Sequence, residues 1–183
     1  MIKYILLGLL NYKPMTGYEL KQTIDHSVSH FWHAYHSQIY TQLRQMEADG
    51  WVSSEFVYTE GQPDRRIYVM TEAGRVEFET WLDQSLTSMS PIKEELLVRL
   101  FFSARRDKKS VLAELYLQRE LHQKKLNEYS SLEGDFSEEN KNTIPPQMVG
   151  DTVFWKMTLN MGIGFEKMYL EWLNQTIAEI DLL

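Results

Sequence analysis

Apolar residues at Ile2, Ile5, Leu6 and Leu9 recur at helical spacing, which predicts a buried helix over residues 2–10. Asn11 and Pro14 end it. Thr16 suits an N-cap, and Glu19 three residues on completes a capping box. Leu20 and Ile24 form the inward stripe of this second helix. The stretch from Asp25 to His36 is rich in His and Ser, with Phe31-Trp32 as its apolar anchor. Ser37 is read as the N-cap of a third helix. Ile39, Leu43 and Met46 share one face of it, Gly50 follows as a C′ residue, and the opposite face carries Gln38, Tyr40, Thr41, Arg44 and Gln45. The period then changes to two. Trp51–Tyr58 reads as a strand, and so does Arg65–Met70, where Ile67 and Val69 alternate with Arg66 and Tyr68. Gly61-Gln62-Pro63-Asp64 has the chemistry of a hairpin tip. Thr71 caps a further helix carrying Val76, Phe78, Trp81 and Leu82.

A break falls at residues 87–91, where Ser90-Pro91 reads as an N-cap followed by an N1 proline. Leu96, Leu97, Leu100, Phe101 and Phe102 then mark a mostly buried helix. Asp107 caps the next one, which runs towards Leu132 and is polar outside Leu112, Leu115, Leu126 and Tyr129. Gly134–Gln147 is an acidic, polar loop. The last helix starts near Asp151. It carries Phe154, Met157, Met161, Phe165, Met168 and Trp172 at steps of three and four. So small a domain cannot cover so long a stripe, which is therefore read as a dimerisation element. The fold expected is mainly α with a small β-hairpin: a winged helix-turn-helix over residues 1–86 and a helical dimerisation domain over 87–183.

The composition narrows the class. The chain of 183 residues has no cysteine, which excludes a disulfide framework and Cys-based zinc sites and fits the cytoplasm. Met1–Leu10 superficially resembles a signal peptide, but its charged region is minimal and no small-residue cleavage site follows. No apolar run reaches the roughly 18 residues of a membrane span, so no membrane partner is expected. Net charge is −7. Residues 1–75 hold seven Lys and Arg against eight Asp and Glu, and residues 76–183 hold twelve against eighteen. The first part is thus near neutral, and its basic groups can serve DNA if they share one face. There is no Gly-x-Ser-x-Gly, P-loop or dinucleotide fingerprint, so neither an enzyme nor a cofactor is expected. His26 and His30 are spaced i,i+4, with His33 and His36 nearby. The segment is not one continuous helix, however, and no metal is expected there.

Helix, helix and hairpin is the order of a winged helix-turn-helix, whose second helix enters the major groove. Tyr40 and Arg44 lie one turn apart on that helix: Arg can chelate guanine, and the Tyr hydroxyl can bind phosphate. Gln38 can read adenine. Thr16 and Lys21 suit phosphate, Thr16 alongside its cap role. Arg65 and Arg66 sit just past the hairpin tip and alternate in face; Arg65 is favoured for the duplex and Arg66 for packing beside Tyr68. Tyr18, Ser37, Thr41 and Gln62 complete the contact set. A sharper reading of the last helix makes Trp155, Met157 and Trp172 the lining of an effector pocket.

Leu7-Gly8-Leu9-Leu10, Pro14-Met15-Thr16-Gly17-Tyr18-Glu19-Leu20-Lys21, Gln38-Ile39-Tyr40 and Glu47-Ala48-Asp49-Gly50-Trp51-Val52 follow one another in a specific order. Gly61-Gln62-Pro63-Asp64-Arg65-Arg66-Ile67-Tyr68 and Thr71-Glu72-Ala73-Gly74-Arg75 continue it. Together they resemble the PadR family of bacterial transcriptional regulators. Glu94–Phe102 and Gly164-Phe165 with Glu171-Trp172-Leu173 are similar to the branch with a virulence-activator-like C-terminal region. Thr41-Gln42 departs from many relatives, which have a proline soon after the helix 3 tyrosine. The resemblance implies a homodimer on a double-stranded DNA operator, often a repressor released by a small effector. The alternative is a non-enzymatic dimeric adaptor on the same scaffold, for which the acidic balance speaks.

Overall fold

The first helix, α1 (Ile2–Leu10), forms where the apolar spacing puts it, with Leu6, Leu7 and Leu10 buried. The structure, a computed structural model, describes residues 1–29, 31–58, 65–133 and 148–182. After α1 a two-residue strand, β1 (Met15–Thr16), leads into α2 (Gly17–Ser27). Thr16 caps α2 with the expected reciprocal box. The Glu19 N–H donates to Thr16 Oγ1 at 3.1 Å, and the Thr16 N–H and hydroxyl donate to Glu19 Oε2 at 2.7 and 2.8 Å.

The next helix, α3 (His36–Ala48), starts before the expected cap. Tyr35, not Ser37, is its N-cap, and the Tyr35 N–H donates to Gln38 Oε1 at 3.1 Å. Ala34 is fully buried and Trp32 packs on the core, so the chain is anchored immediately ahead of the helix. Phe31, expected as part of that anchor, is exposed. Ile39, Leu43 and Met46 are buried on one face of α3, as their spacing requires. Gly50 has φ +75°, a conformation that suits glycine. The Gly50 N–H donates to Glu47 O at 3.1 Å and the Trp51 N–H to Met46 O at 2.8 Å, which is the Schellman pattern of a helix end.

Strands β2 (Val52–Val57) and β3 (Arg65–Met70) pair antiparallel, with Ser54 opposite Tyr68 and Phe56 opposite Arg66. β1 joins the other edge of β3, Met15 opposite Tyr68, giving the order β1-β3-β2. Tyr68 is the buried residue of β3 and Val69 is exposed, so the face holding Arg66, Tyr68 and Met70 turns inward. Helix α4 (Glu72–Leu82) follows, capped by Thr71 Oγ1, which accepts from the Gly74 N–H. Residues Met1–Met89 form one compact unit around the core shared by α1, α2, α3 and the sheet.

The second unit, Ser90–Leu183, has helices and no strand among its described residues. Helix α5 (Glu95–Phe101) is capped by Glu94, whose carboxylate accepts from the Leu96 N–H at 3.3 Å. The expected start at Ser90-Pro91 is not used. Residues 90–93 are exposed, and α5 begins where Leu96 and Leu100 meet the core. A 3-10 turn (Ser103–Arg105) precedes α6 (Lys108–Glu133), and Asp107 caps α6 by accepting from the Ser110 N–H at 2.9 Å. Helix α7 (Thr152–Asp181) packs on α6. Val111 and Leu115 near the start of α6 meet Leu173 and Ile177 near the end of α7, while Tyr129 meets Leu159 and Ile163, so the pair is antiparallel. No helix among the described residues is long and apolar enough to cross a membrane. The expected loop at Gly134–Gln147 and the hairpin tip at Gly61–Asp64 lie outside the described residues.

Candidate nucleic-acid interface

Burial of Ile39, Leu43 and Met46 fixes the rotation of α3 and turns Ser37, Gln38, Tyr40, Thr41 and Arg44 outward together. Tyr40 is 41% exposed, yet its ring is seated. It lies over Gly17 at the start of α2, where an added Cβ would come within 2.5 Å of the ring. Gly17 is therefore the residue that lets Tyr40 lie flat on the neighbouring helix, a role the sequence reading did not assign. Arg44 Nη2 donates to Thr41 Oγ1 at 3.3 Å, holding the guanidinium along the outer face.

Gln38 is less free than expected. Its Oε1 accepts the Tyr35 N–H, so a two-point contact with adenine, which needs both amide atoms, would break half of the helix cap. Thr16 and Glu19 are similarly engaged with each other. Hydrogen bonds from Thr16, its backbone N–H first, hold the Glu19 carboxyl below the usual carboxylate range. Tyr18 is exposed, and its hydroxyl accepts from Gln22 Nε2 at 3.1 Å.

The basic side chains sort into two groups. Lys3 pairs with Glu77, Lys21 with Asp25, Arg66 with Glu47 and Arg75 with Glu72. Lys13, Arg44 and Arg65 make no ion pair among the described residues. Lys13 was not singled out from the sequence; it and Arg65 both act on the Glu19 carboxylate, which marks one shared edge of the unit. Lys21, expected at phosphate, is instead held by the carboxylate one turn along its own helix, an i,i+4 pairing that was readable in advance.

Arg66 packs beside Tyr68, the role that strand alternation favours for it. Its Nε donates to Ser54 Oγ at 2.8 Å and its Nη2 to Glu47 Oε2 at 2.5 Å; the Ser54 hydroxyl donates to Glu47 Oε1 at 2.5 Å. The guanidinium lies 5.4 Å from the Phe56 ring centre and 5.3 Å from that of Tyr68. The Ser54 hydrogen bond, with the Arg66 charge, lowers the Glu47 carboxyl, and burial raises the Tyr68 phenol. Arg65, next in the strand, points the other way and is exposed. Gln62 lies outside the described residues.

In the second unit, α7 has two apolar faces. Leu159, Ile163, Leu170, Leu173 and Ile177 are buried against α5 and α6, along with Glu166, which is bonded to His122 Nδ1 at 2.5 Å. On the other side Phe154, Met157, Met161 and Met168 are 65%, 59%, 71% and 52% exposed, and Phe165 is exposed beside them. Trp172 is half-buried against the core. Trp155 and Trp172 do not converge: on one continuous helix their separation is about 25 Å at the usual rise per residue.

The sequence pattern of the transcriptional regulator PadR-like family matches residues 6–80, and that of the virulence activator alpha C-terminal region matches 92–181. The chain belongs to the PadR-like family. Over 180 residues it is 24% identical to the negative transcriptional regulator PadR of Bacillus subtilis, covering 98% of this chain and 97% of that one. It is 28% identical to "Probable transcriptional regulator Rv1176c" of Mycobacterium tuberculosis, covering 97% of this chain and 96% of that one. The fold matches that of Bacillus subtilis PadR solved in complex with operator DNA, with a TM-score of 0.80 at 24% identity over 98% of each chain. It also matches the same protein solved with p-coumaric acid, with a TM-score of 0.71 at 23% identity over 98% of this chain and 95% of that one. As a PadR-type regulator the chain carries a DNA-binding fold, and the family is one of non-enzymatic regulators.

Proposed function

We propose that this PadR-type chain is a homodimeric, sequence-specific repressor acting on a double-stranded DNA operator. The observation that carries the reading is the outer face of α3, where Ser37, Tyr40, Thr41 and Arg44 stand exposed on a helix whose rotation the core dictates. In each protomer α3 enters a major groove, with Arg44 at base edges and Tyr40 at the backbone. Gln38 contributes its free amide N–H, and Arg65, with Gln62 beyond it, reaches flanking phosphate from the wing. Thr16, Tyr18 and Lys13 border the same edge. A two-fold dimer requires half-sites about one helical turn apart. The operator complex of Bacillus subtilis PadR supports the DNA target, and that protein's description as a negative regulator supports repression.

The exposed face of α7 supports dimerisation, because Phe154, Met157, Met161 and Met168 each leave more than half of their surface exposed along one side of the helix. A small aromatic or apolar effector acts on this helical unit. Its support is the p-coumaric acid complex of the Bacillus subtilis relative and the exposed Met157. A pocket using Trp155 and Trp172 together draws them from two protomers.

The test is fluorescence anisotropy on the DNA immediately upstream of the chain's own gene, competed with scrambled duplex. Binding that resists the competitor supports the repressor. An absence of preference on that DNA and on a genome-derived library sinks it in favour of the adaptor, the reading that the net charge of −7 favours.

A further inference from the structure

Arg66 and Glu47 face each other across the junction between the recognition helix and the wing. Glu47 lies on α3 one turn beyond Arg44 and two beyond Tyr40, and Arg66 is the second residue of β3. Backbone bonds tie the base of the wing to the end of α3: Trp51 N–H to Met46 O, and Thr71 N–H to Trp51 O at 3.0 Å. Further out, the side-chain link from α3 is the group formed by Glu47, Ser54 and Arg66. It has three members on three elements, α3, β2 and β3. Each carboxylate oxygen of Glu47 accepts one bond, and the guanidinium carbon lies 5.4 and 5.3 Å from the ring centres of Phe56 and Tyr68. A planar fork held at two nitrogens beside two rings has a defined orientation, which an ammonium group could not reproduce.

β1 holds β3 only as far as Ile67, and from Arg66 outward β2 and β3 form a two-stranded ribbon, which is weakly ordered by itself. Without this group the outer part of the wing, beyond the β1 pairing, is held less firmly to α3, and Arg65, whose side chain points out from the neighbouring position, moves with it. We propose that Glu47 and Arg66 are positioning residues: they form a strut that sets the angle between wing and recognition helix, so that Arg65 meets the flanking backbone while α3 sits in the groove. The strut rests on the DNA-binding reading above for its consequence, but not for its existence.

The experiment uses the full chain and anisotropy on the operator. E47Q and R66M each weaken binding about tenfold, the scale of one lost charge-assisted phosphate contact. R65A does the same, and E47Q added to R65A has no further effect, because the contact that the strut positions is already gone. If R66M weakens binding while E47Q is silent, or if E47Q acts at full strength on top of R65A, Arg66 touches DNA itself and the strut is overturned.

A second measurement separates the strut from the DNA reading. The chain has no cysteine, so spin labels at A48C and Y58C report the distance from α3 to the residue just beyond β2 without background. The distribution should be narrow in the parent and broad in E47Q and R66M. A distribution unchanged by E47Q overturns the strut whatever happens on DNA. A broadened distribution in a chain that shows no operator preference sinks the DNA reading and leaves the strut standing.

Discussion

Three basic side chains of the N-terminal unit make no ion pair among its described residues, and two of them set the salt dependence of DNA binding. With Arg44 at base edges, Lys13 and Arg65 bring four cations to phosphate in a dimer, and each phosphate neutralised contributes about 0.9 to the slope of log affinity against log salt. The slope should therefore be about −3.6, and affinity should fall by about 150-fold between 50 and 200 mM salt. Arg65→Ala removes two contacts per dimer, so its slope should fall in magnitude by about 1.8. Lys21→Met should leave the slope within half a unit of the parent, because Asp25 already holds that ammonium. The assay is operator titration at five or more salt concentrations, with dimer content checked by sedimentation. A parent slope near −7 would refute the count, since Lys21 and Arg66 would then be leaving their carboxylates for phosphate. A slope that Arg65→Ala does not change would remove the wing from the interface.

Gly17→Ala puts a Cβ 2.5 Å from the Tyr40 ring. Because Tyr40 is partly exposed and can swing out, unfolding stability should fall by no more than about 1 kcal/mol, while operator affinity falls at least tenfold; equal affinity would show that Tyr40's seat on α2 is irrelevant to binding. Thr16→Ala should cost about 1 kcal/mol in urea unfolding at pH 7 through loss of the α2 cap, and a midpoint equal to the parent's would refute the cap. The Glu19 carboxyl is held below its ordinary value, so its contribution is complete above the usual glutamate range and fades as pH falls through the lowered value. Glu19→Gln should accordingly destabilise at pH 7, with the gap to the parent narrowing as pH falls below the usual glutamate range; a gap that stays constant through acid unfolding would contradict the linkage. Met161→Glu, at the most exposed position of the α7 stripe, should yield a monomer by sedimentation with unchanged helix content by circular dichroism. A dimer of unaltered affinity would move the interface elsewhere.

Long periodic elements were legible in the sequence and local exceptions were not. The α1, α2, α6 and α7 patterns and the strand Arg65–Met70 run over enough residues for burial to impose its period, and the Thr16 and Asp107 caps depend only on near neighbours. β1 is two residues long and exists because β3 offers it an edge, so no pattern within Met15-Thr16 could announce it. The starts of α3 and α5 shifted for the same reason: Tyr35 and Glu94 cap them because buried Ala34 and Leu96 decide where each helix docks. In the candidate site, alternation correctly separated Arg65 from Arg66. The partner that occupies Arg66 lies 19 residues away in another element, and a strand pattern carries no information about it.

The shortage of free cations gives dimerisation a second purpose. A single N-terminal unit with three of them among its described residues, in a chain of net charge −7, gains little from the electrostatic term that supplies most non-specific affinity. It must draw its free energy from a few contacts on α3, and these alone do not overcome the cost of association. Joining two such units makes the second engagement intramolecular, so that two weak half-sites act as one strong site when their spacing matches. The apolar outer face of α7 and the sparse charge of the N-terminal unit are then complementary features. A dimer-breaking change at Met161 should lower operator affinity by far more than the loss of any one cation, although Met161 belongs to a different unit from α3. The acidic excess becomes an advantage in the same scheme, because weak non-specific binding keeps such a regulator from being held on the rest of the chromosome.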